Sequence, residues 1–225
     1  MTGATTASTL MLAPPAERGY GLAPEAASAR DALLVGLAGF ARSGKDSAAQ
    51  ALIEGGWRRD AFADRLKSFL HRQNPLVPTA ADAPPVRLAP LVAAYGWDGA
   101  KTRFPEVRRL LHSTGTDAGR VTLGEDVWVD ALFNDHAPER EALVITDVRY
   151  PNEARAIQSR GGVLIWIDRP GVTPARDGNG VPYPSETALA DWTFDAVLRN
   201  DGDLDDLRSR LIGVAVLADR FTSTA

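Results

Sequence analysis

The chain has 225 residues, of which 44% are hydrophobic and 24% are charged. This is enough apolar sequence for one sizeable folded domain, and the composition excludes a fibrous or wholly disordered protein. With 29 acidic and 25 basic residues and a formal net charge of −4, the chain lacks the positive field that holds proteins on nucleic acid, so we expect no nucleic-acid partner. The sequence contains no cysteine, which excludes disulfides, thiolate metal sites and cysteine nucleophiles.

The chain opens with residues 1–30, which are rich in Ala, Thr, Pro and Gly and show no apolar period. We interpret them as a poorly ordered tail. They show no pattern of an export signal, and no apolar run in the chain approaches the roughly 20 residues of a membrane span. We therefore expect no membrane partner and a cytoplasmic location.

Beyond the tail, short apolar segments alternate with amphipathic ones, which predicts an α/β fold with a parallel sheet. The expected strands are 32–38, about 57–63, 142–148, 163–167 and 196–199. The expected helices are 45–54, 64–71, 107–113, 127–133, 152–160 and 204–218. A proline-rich stretch from residue 74 interrupts this alternation and is interpreted as an insertion beside a site. A second stretch, 169–183, contains glycines and prolines and is interpreted as a lid.

Residues 39–47 fit the pattern G-x-x-x-x-G-K, between an apolar strand and an amphipathic helix. Glycines let backbone N–H groups surround an anion, the helix N-terminus faces it, and Lys45 neutralises phosphate charge. Asp46 stands where Ser or Thr is usual. Its carboxylate is a hard oxygen ligand for Mg²⁺, directly or through water, and Ser47 offers a hydroxyl instead. Alternatively, Asp46 only favours the helix N-terminus electrostatically.

Asp147 ends an apolar strand, at the edge of a parallel sheet where ligands bind, so we expect it to act on metal-bound water or on the phosphoryl acceptor. The alternative is that it caps the following helix. Arginines near these motifs suit phosphate binding because a guanidinium grips phosphate through two hydrogen bonds. The candidates are Arg42, Arg65, Arg108, Arg109, Arg149, Arg169 and Arg176. The three histidines lack the spacing of metal ligands, so no histidine metal site is expected.

Six segments occur in one order along the chain: 39–47, 62–67, 108–117, 144–153, 185–189 and 200–204. Together they resemble the deoxynucleoside monophosphate kinases of tailed bacteriophages, over about residues 33–212. A phosphate loop ending in Gly-Lys-Asp belongs to that family pattern. The resemblance implies an adenylate-kinase-like P-loop domain over 31–225, with a five-stranded parallel sheet flanked by helices, an acceptor-side insertion at 74–104 and a lid at 169–183.

By resemblance, the protein phosphorylates a (deoxy)nucleoside 5′-monophosphate with ATP and Mg²⁺ by in-line transfer. The implied catalytic residues are Lys45, Arg42, Asp147 and Arg149. ATP would be bound by Gly39, Ser43, Gly44, Lys45, Asp46 and Ser47, with Asn200 and Gly202 bordering the adenine. The metal would be held by Asp46, Ser47 and Asp147. The acceptor would be bound by Asp64, Arg65, Lys67, Arg109, Thr116, Asp117 and Glu186, and the lid would contribute Arg169 and Arg176.

Other small-molecule P-loop kinases remain an alternative, because phosphomevalonate kinases share this style of loop and dephospho-CoA kinases share the architecture. A GTPase-like nucleotide switch is less favoured, since no Asn in the chain is followed by Lys and the guanine-reading Asn-Lys-x-Asp is absent. A phage-encoded kinase would work in the host cytoplasm. The sequence leaves open which base is accepted and whether the chain forms a homodimer.

Overall fold

The computed structural model describes residues 33–134, 142–176 and 178–222, with side chains up to residue 215. The expected tail at 1–30 lies outside these residues. The strands are β1 (Leu34–Ala38), β2 (Arg58–Asp60), β3 (Leu76–Val77), β4 (Val86–Arg87), β5 (Leu143–Val148), β6 (Val163–Asp168) and β7 (Ala196–Arg199). The helices are α1 (Lys45–Glu54), α2 (Phe62–Gln73), α3 (Leu88–Arg103), α4 (Pro105–His112), a π-helix (Ser113–Arg120), α5 (Val121–Leu123), α6 (Val127–Asn134), α7 (Pro151–Gln158), α8 (Pro184–Thr187) and α9 (Leu204–Thr222).

Five strands form a parallel sheet in the order β2-β5-β1-β6-β7. In the register, Val35 of β1 pairs with Val144 of β5 on one side and with Val163 of β6 on the other. All five residues of β1 are buried, as expected for a central strand covered on both faces. This sheet confirms the predicted α/β fold with five parallel strands.

The alternation of side chains along β1 divides the core into two layers. Leu34 and Ala38 belong to a cluster that includes residues of α6 and α7. Val35 and Leu37 belong to a second cluster, which includes residues of α1 and α9. The helix that follows the first strand therefore packs beside the last helix, on the opposite side of the sheet from α7.

The proline-rich stretch after residue 74 is more ordered than its composition predicts. It contains the antiparallel β3–β4 pair and helix α3, and its apolar residues join those of α2 and α4 in a third core. The members of this third core include Leu70, Val77, Leu88, Leu91, Ala100 and Val107. The sequence does not predict helix α3, because α3 contains Pro90 in its first turn and a kink at Gly96, where φ is 64°.

A second difference concerns the segment after α1. The sequence predicts a strand through residue 63, whereas β2 ends at Asp60 and α2 begins at Phe62. The earlier helix start matters for the site, because the first N–H groups of α2 then lie beside the end of β5. Both Phe62 and Ala63 donate to a β5 side chain.

Candidate active site

The loop between β1 and α1 is shaped by positive φ angles and by close packing. Gly39 and Gly44 have φ values of 141° and 103°, and Arg42 has φ 67°. A Cβ on Gly39 would lie 2.6 Å from the carbonyl oxygen of Ile167, and one on Gly44 would lie 2.6 Å from Nδ2 of Asn200. Both positions therefore require glycine, and the turn forms the kind of concave backbone that binds anions.

Lys45 lies inside this loop with only 7% of its surface exposed. Its Nζ donates to the carbonyl oxygens of Gly39 at 2.8 Å and Phe40 at 2.7 Å. Burial, reinforced by the positive charge of Arg149, lowers the pKa of Lys45 to about 8, against the opposing effect of three nearby carboxylates. The lysine charge is therefore concentrated within the loop, where a phosphate would be bound.

Glu186 of α8 joins the phosphate loop to the end of β5. Its Oε2 accepts from the backbone N–H of Ala41 at 2.9 Å and of Ala175 at 3.4 Å, and its Oε1 accepts from Nη1 of Arg149 at 2.6 Å. Burial alone would raise the pKa of Glu186, but the hydrogen bonds from Ala41 and Arg149 outweigh it and the pKa is lowered. A single carboxylate thus connects the loop, the predicted lid and a cation of the site.

Asp147 occupies the end of β5, as the sequence predicts, and its carboxylate spans the start of α2. Oδ1 accepts from the N–H of Phe62 and Oδ2 from that of Ala63, both at 2.9 Å. Burial raises the pKa of Asp147, and these two N–H groups partly oppose that rise. The aspartate therefore caps a helix, but the capped helix is α2 and not the following helix α7.

Helix α7 is capped instead by Glu153, a residue that sequence reasoning did not single out. Its Oε2 accepts from the backbone N–H groups of Arg149 and Tyr150 at 2.8 and 3.0 Å. Its Oε1 accepts from Nη2 of Arg120 at 2.7 Å. Burial, with a smaller contribution from the charge of Asp147, raises the pKa of Glu153 to about 7, whereas the Arg149 N–H and Arg120 oppose the rise.

A cavity of about 360 Å³ opens between α2, the π-helix and the end of β5. Its apolar lining consists of Phe62, Ala63, Leu66, Leu111, Gly115 and Trp128. Its polar lining consists of Lys101, His112, Thr116, Arg120, Asp147, Arg149, Tyr150, Glu153 and Ser185. A cavity lined by apolar side chains and two arginines suits a ligand that has an apolar part and an anionic part.

Of the predicted acceptor residues, Thr116 lines this cavity and Glu186 contacts Arg149, which also lines it. The others lie elsewhere. Lys67 pairs with Asp64 at 2.8 Å, and both line a neighbouring cavity of about 310 Å³. Arg109 has 64% of its side chain exposed and pairs with Glu106. The remaining two are Arg65, which pairs with Asp60 at 2.9 Å, and Asp117, which is exposed.

The predicted ATP and metal residues lie around the loop. The side chain of Asp46 is 81% exposed and lies 3.8 Å from Arg59, and Ser47 is exposed. Asn200 donates from Nδ2 to the carbonyl oxygen of Ser43 at 2.8 Å, so it contacts the loop itself. The remaining predicted residues are Arg42 and Arg169, which are exposed, Arg176, which donates to the carbonyl oxygen of Gly180, and Gly202, which packs against Asp206.

Arg120 lines the cavity but is not among the site residues predicted from the sequence. Its side chain lines the cavity together with Thr116, one helical turn earlier. That spacing is the one signal that could have identified it, since residues four apart on a helix lie on one face. The sequence signal for Glu153 is a helix-capping pattern, in which the third helical residue after Tyr150 is an acid.

Within residues 33–134, 142–176 and 178–222, no three or more His, Cys, Asp or Glu side chains are grouped so as to hold a metal ion. In the same ranges, no helix combines the length and apolar character of a membrane span.

Solved structures that are similar to this chain include shikimate kinase from Aquifex aeolicus, with a TM-score of 0.42 and 10% identity, covering 84% of this chain and 99% of that one. Dephospho-CoA kinase from Campylobacter jejuni has a TM-score of 0.43 and 12% identity, covering 82% of this chain and 96% of that one. Similarity at this level supports no inference about this chain.

The sequence comparisons are more specific. The family model of deoxynucleotide monophosphate kinase matches residues 100–211. A protein of Escherichia phage T5 named deoxynucleoside-5′-monophosphate kinase is 28% identical over 102 residues, which are 44% of this chain and 41% of the relative. A relative from Acanthamoeba polyphaga mimivirus, which carries the name deoxynucleotide monophosphate kinase, is 32% identical over 205 residues, covering 80% of this chain and 94% of the relative. The chain therefore belongs to the deoxynucleotide monophosphate kinase family.

Proposed function

We propose that this deoxynucleoside monophosphate kinase transfers the γ-phosphoryl group of ATP to the 5′-phosphate of its acceptor, with ATP on the Lys45 loop and the acceptor in the cavity beside Asp147. The observation that carries the proposal is a series of hydrogen bonds that links the cavity to the loop. Arg149 lines the cavity and pairs with Glu186, and Glu186 accepts from the loop N–H of Ala41. Two side chains therefore link the loop to the cavity, which supports placing the two phosphates beside each other, as in-line transfer requires.

The loop fits the phosphates of ATP. Ser43 Oγ is buried and has no hydrogen-bond partner among the described residues, so it is a polar atom suited to a ligand. Lys45 supplies a cation, and the helix α1 that begins at this lysine directs its N-terminus into the loop. Asn200 supports the loop through the Ser43 carbonyl, so we assign it a role in shaping the phosphate site in addition to its expected place beside the adenine.

The donor set at the start of α1 fits Mg²⁺. Asp46 and Ser47 carry hard oxygen atoms on the first turn of the helix, and both side chains are exposed. We assign the metal to these two residues together with nucleotide phosphates. Asp147 remains the third predicted ligand, through metal-bound water, because each of its oxygens accepts one hydrogen bond from α2 and keeps a second lone pair. Bound Mg²⁺ would neutralise phosphate charge as it develops on the leaving group.

The transfer step needs little proton chemistry. An oxygen of the acceptor phosphate bonds to the γ-phosphorus, the bond from that phosphorus to the bridging oxygen breaks, and ADP leaves. The attacking oxygen is already anionic, so positioning and cationic charge from Lys45 and Arg149 supply most of the acceleration. The lid, tied to Glu186 through the N–H of Ala175, would exclude water that could otherwise accept the phosphoryl group.

An assay of ADP release with each deoxynucleoside and ribonucleoside monophosphate tests this proposal. We expect ATP consumption that depends on a deoxynucleoside monophosphate and that yields the diphosphate, detected by mass spectrometry. The Lys45→Ala variant should lose about 100-fold or more in kcat, because a charge aimed at the transferred group is removed. ATP consumption without any dependence on a nucleoside monophosphate, or dependence on phosphomevalonate or dephospho-CoA, would contradict the proposal.

A further inference from the structure

We propose that Arg120 is the residue that binds the acceptor's 5′-phosphate, and that Glu153 and Tyr150 are the groups that position it. This inference rests on the proposed function and adds a binding residue to it. Arg120 is the last residue of the π-helix, its side chain is 16% exposed, and it lines the cavity beside Asp147. A partly buried cation that faces a cavity is suited to an anionic ligand.

The hydrogen bonds of the guanidinium leave capacity for such a ligand. The short bond runs from Nη2 to Oε1 of Glu153 at 2.7 Å. Nη1 contacts Oδ1 of Asn152 at 3.4 Å and the carbonyl oxygen of Glu125 at 3.5 Å, both at the long limit for hydrogen bonds. A guanidinium has five N–H donors in a fixed plane, so Arg120 can grip a phosphate while it keeps its bond to Glu153.

The position of Arg120 is fixed by groups that cannot move independently. The Arg120 guanidinium carbon lies 4.2 Å from the centre of the Tyr150 ring, so the ring supports one face of the cation. Glu153 is fixed in turn, because its second oxygen accepts from the backbone N–H groups of Arg149 and Tyr150. Arg120 is therefore tied to the backbone turn that also carries Arg149.

This arrangement puts two arginines at one cavity. Arg149 is held toward the phosphate loop by Glu186, and Arg120 is held by Glu153. A phosphate dianion bound between them would be presented to the loop by one arginine and anchored by the other, which matches the requirement of a phosphoryl acceptor for two converging cations. By contrast, Arg109 is largely exposed and pairs with Glu106 on its own helix.

The test compares three arginine variants for binding and turnover. Arg120→Gln should raise KM for the deoxynucleoside monophosphate about tenfold or more, with KM for ATP unchanged, because only one phosphate loses a charged hydrogen-bond donor. The matched control is Arg103→Gln, since Arg103 also stacks on a tyrosine, Tyr95, at 4.7 Å. It should leave both KM values unchanged. Arg109→Gln examines the residue that the sequence predicts for the same role.

Two further variants separate binding from folding. If Arg120→Gln unfolds because Glu153 loses its ion-pair partner, the double variant Arg120→Gln/Glu153→Gln removes both charges and should fold, with the same loss of acceptor binding. Glu153→Gln alone should raise KM for the acceptor and leave kcat largely intact, because it acts through the position of Arg120. Calorimetric titration of the monophosphate without ATP reports binding independently of turnover.

The outcomes are distinguishable. A wild-type protein that neither binds nor phosphorylates any nucleoside monophosphate contradicts the proposed function and this inference with it. A wild-type protein that is active, together with folded Arg120→Gln that binds the acceptor normally, overturns this inference alone. If KM for the monophosphate is raised in Arg109→Gln and normal in Arg120→Gln, this inference is also overturned. The acceptor phosphate is then bound by Arg109.

Discussion

At the scale of single residues, Lys45 shows that burying a charged side chain at a binding site lowers its pKa and costs stability. Its ammonium group is buried and hydrogen-bonded to two carbonyl oxygens of its own loop, and its pKa is lowered from 10.5 to about 8. The depressed pKa means that the folded protein holds this proton less tightly than the unfolded chain does. Stability therefore rises as the pH rises from about 8 toward 10.5, whereas the charge needed for phosphate is lost over the same range.

We predict that KM for ATP rises with pH above about 8, approaching about tenfold per pH unit, because a bound phosphate favours the charged lysine and the free enzyme loses that charge. The measurement is KM for ATP between pH 7 and 10 at saturating acceptor. Lys45→Arg is the control: its guanidinium stays charged over this range, so its KM should be independent of pH even if binding is weaker. A flat wild-type profile would show that Lys45 does not bind phosphate as a cation.

At the scale of elements, Asp147 connects β5 to the first turn of α2, and we predict that Asp147→Asn has two effects. An amide has one acceptor oxygen in place of two, so the cap weakens and stability falls by about 0.5–2 kcal/mol. Because the side chain also lines the acceptor cavity, kcat should fall much more than affinity for ATP.

The control for this change is Asp203→Ala, since Oδ1 of Asp203 accepts from the N–H of Asp206 at the start of α9, away from the cavity, and alanine removes this acceptor. It should show the loss of stability without the loss of kcat. Thermal unfolding and steady-state kinetics measure the two effects separately. If Asp147→Asn behaves like Asp203→Ala and keeps its kcat, Asp147 is a cap only and has no part in catalysis.

The phosphate loop allows a second prediction at this scale. Gly44→Ala should destabilise the loop and raise KM for ATP, because φ is 103° and the added Cβ would lie 2.6 Å from Asn200 Nδ2. Gly161→Ala is the matched control, since Gly161 also has positive φ, 72°, but nothing within 4 Å of an added Cβ. It should cost about 1–2 kcal/mol of backbone strain and leave KM unchanged. Equal effects on KM would show that the contact with Asn200 does not shape the ATP site.

The sequence predicts some elements better than others, for physical reasons. β1 and α1 could be predicted because an apolar run and a glycine motif are local signals, and α1 has the expected bounds of residues 45–54. The α2 cap by Asp147 could not, because it depends on β2 lying beside β5, a contact between distant parts of the chain. The π-helix and α3 lack local signals, since one is rich in Ser, Thr and Gly and the other contains Pro90 and Gly96.

At the scale of the whole molecule, the described residues pack around three cores. Two of these cores lie next to the two substrate sites of the proposed reaction. The second core joins α1 and α9 below the phosphate loop. The third core joins α2, α3 and α4, each of which contributes residues to the cavity beside Asp147, and includes the apolar residues of the insertion. The insertion therefore packs against the helices that line this cavity and shares one apolar core with α2 and α4.

We predict that two core substitutions of equal size separate the two substrates. Leu88 belongs to the third core and Leu211 to the second, and both are 0% exposed. Replacing either by Ala should cost about 2–5 kcal/mol, since each change removes apolar contacts and leaves a cavity. Leu88→Ala should raise KM for the deoxynucleoside monophosphate more than KM for ATP, because the weakened core supports α2 and α4. Leu211→Ala should do the reverse, because α9 packs on the helix that begins at Lys45.

The measurement is steady-state kinetics for both substrates, at a temperature where circular dichroism shows that both variants are folded. Identical changes in both KM values would mean that the cores do not support the two substrate sites separately.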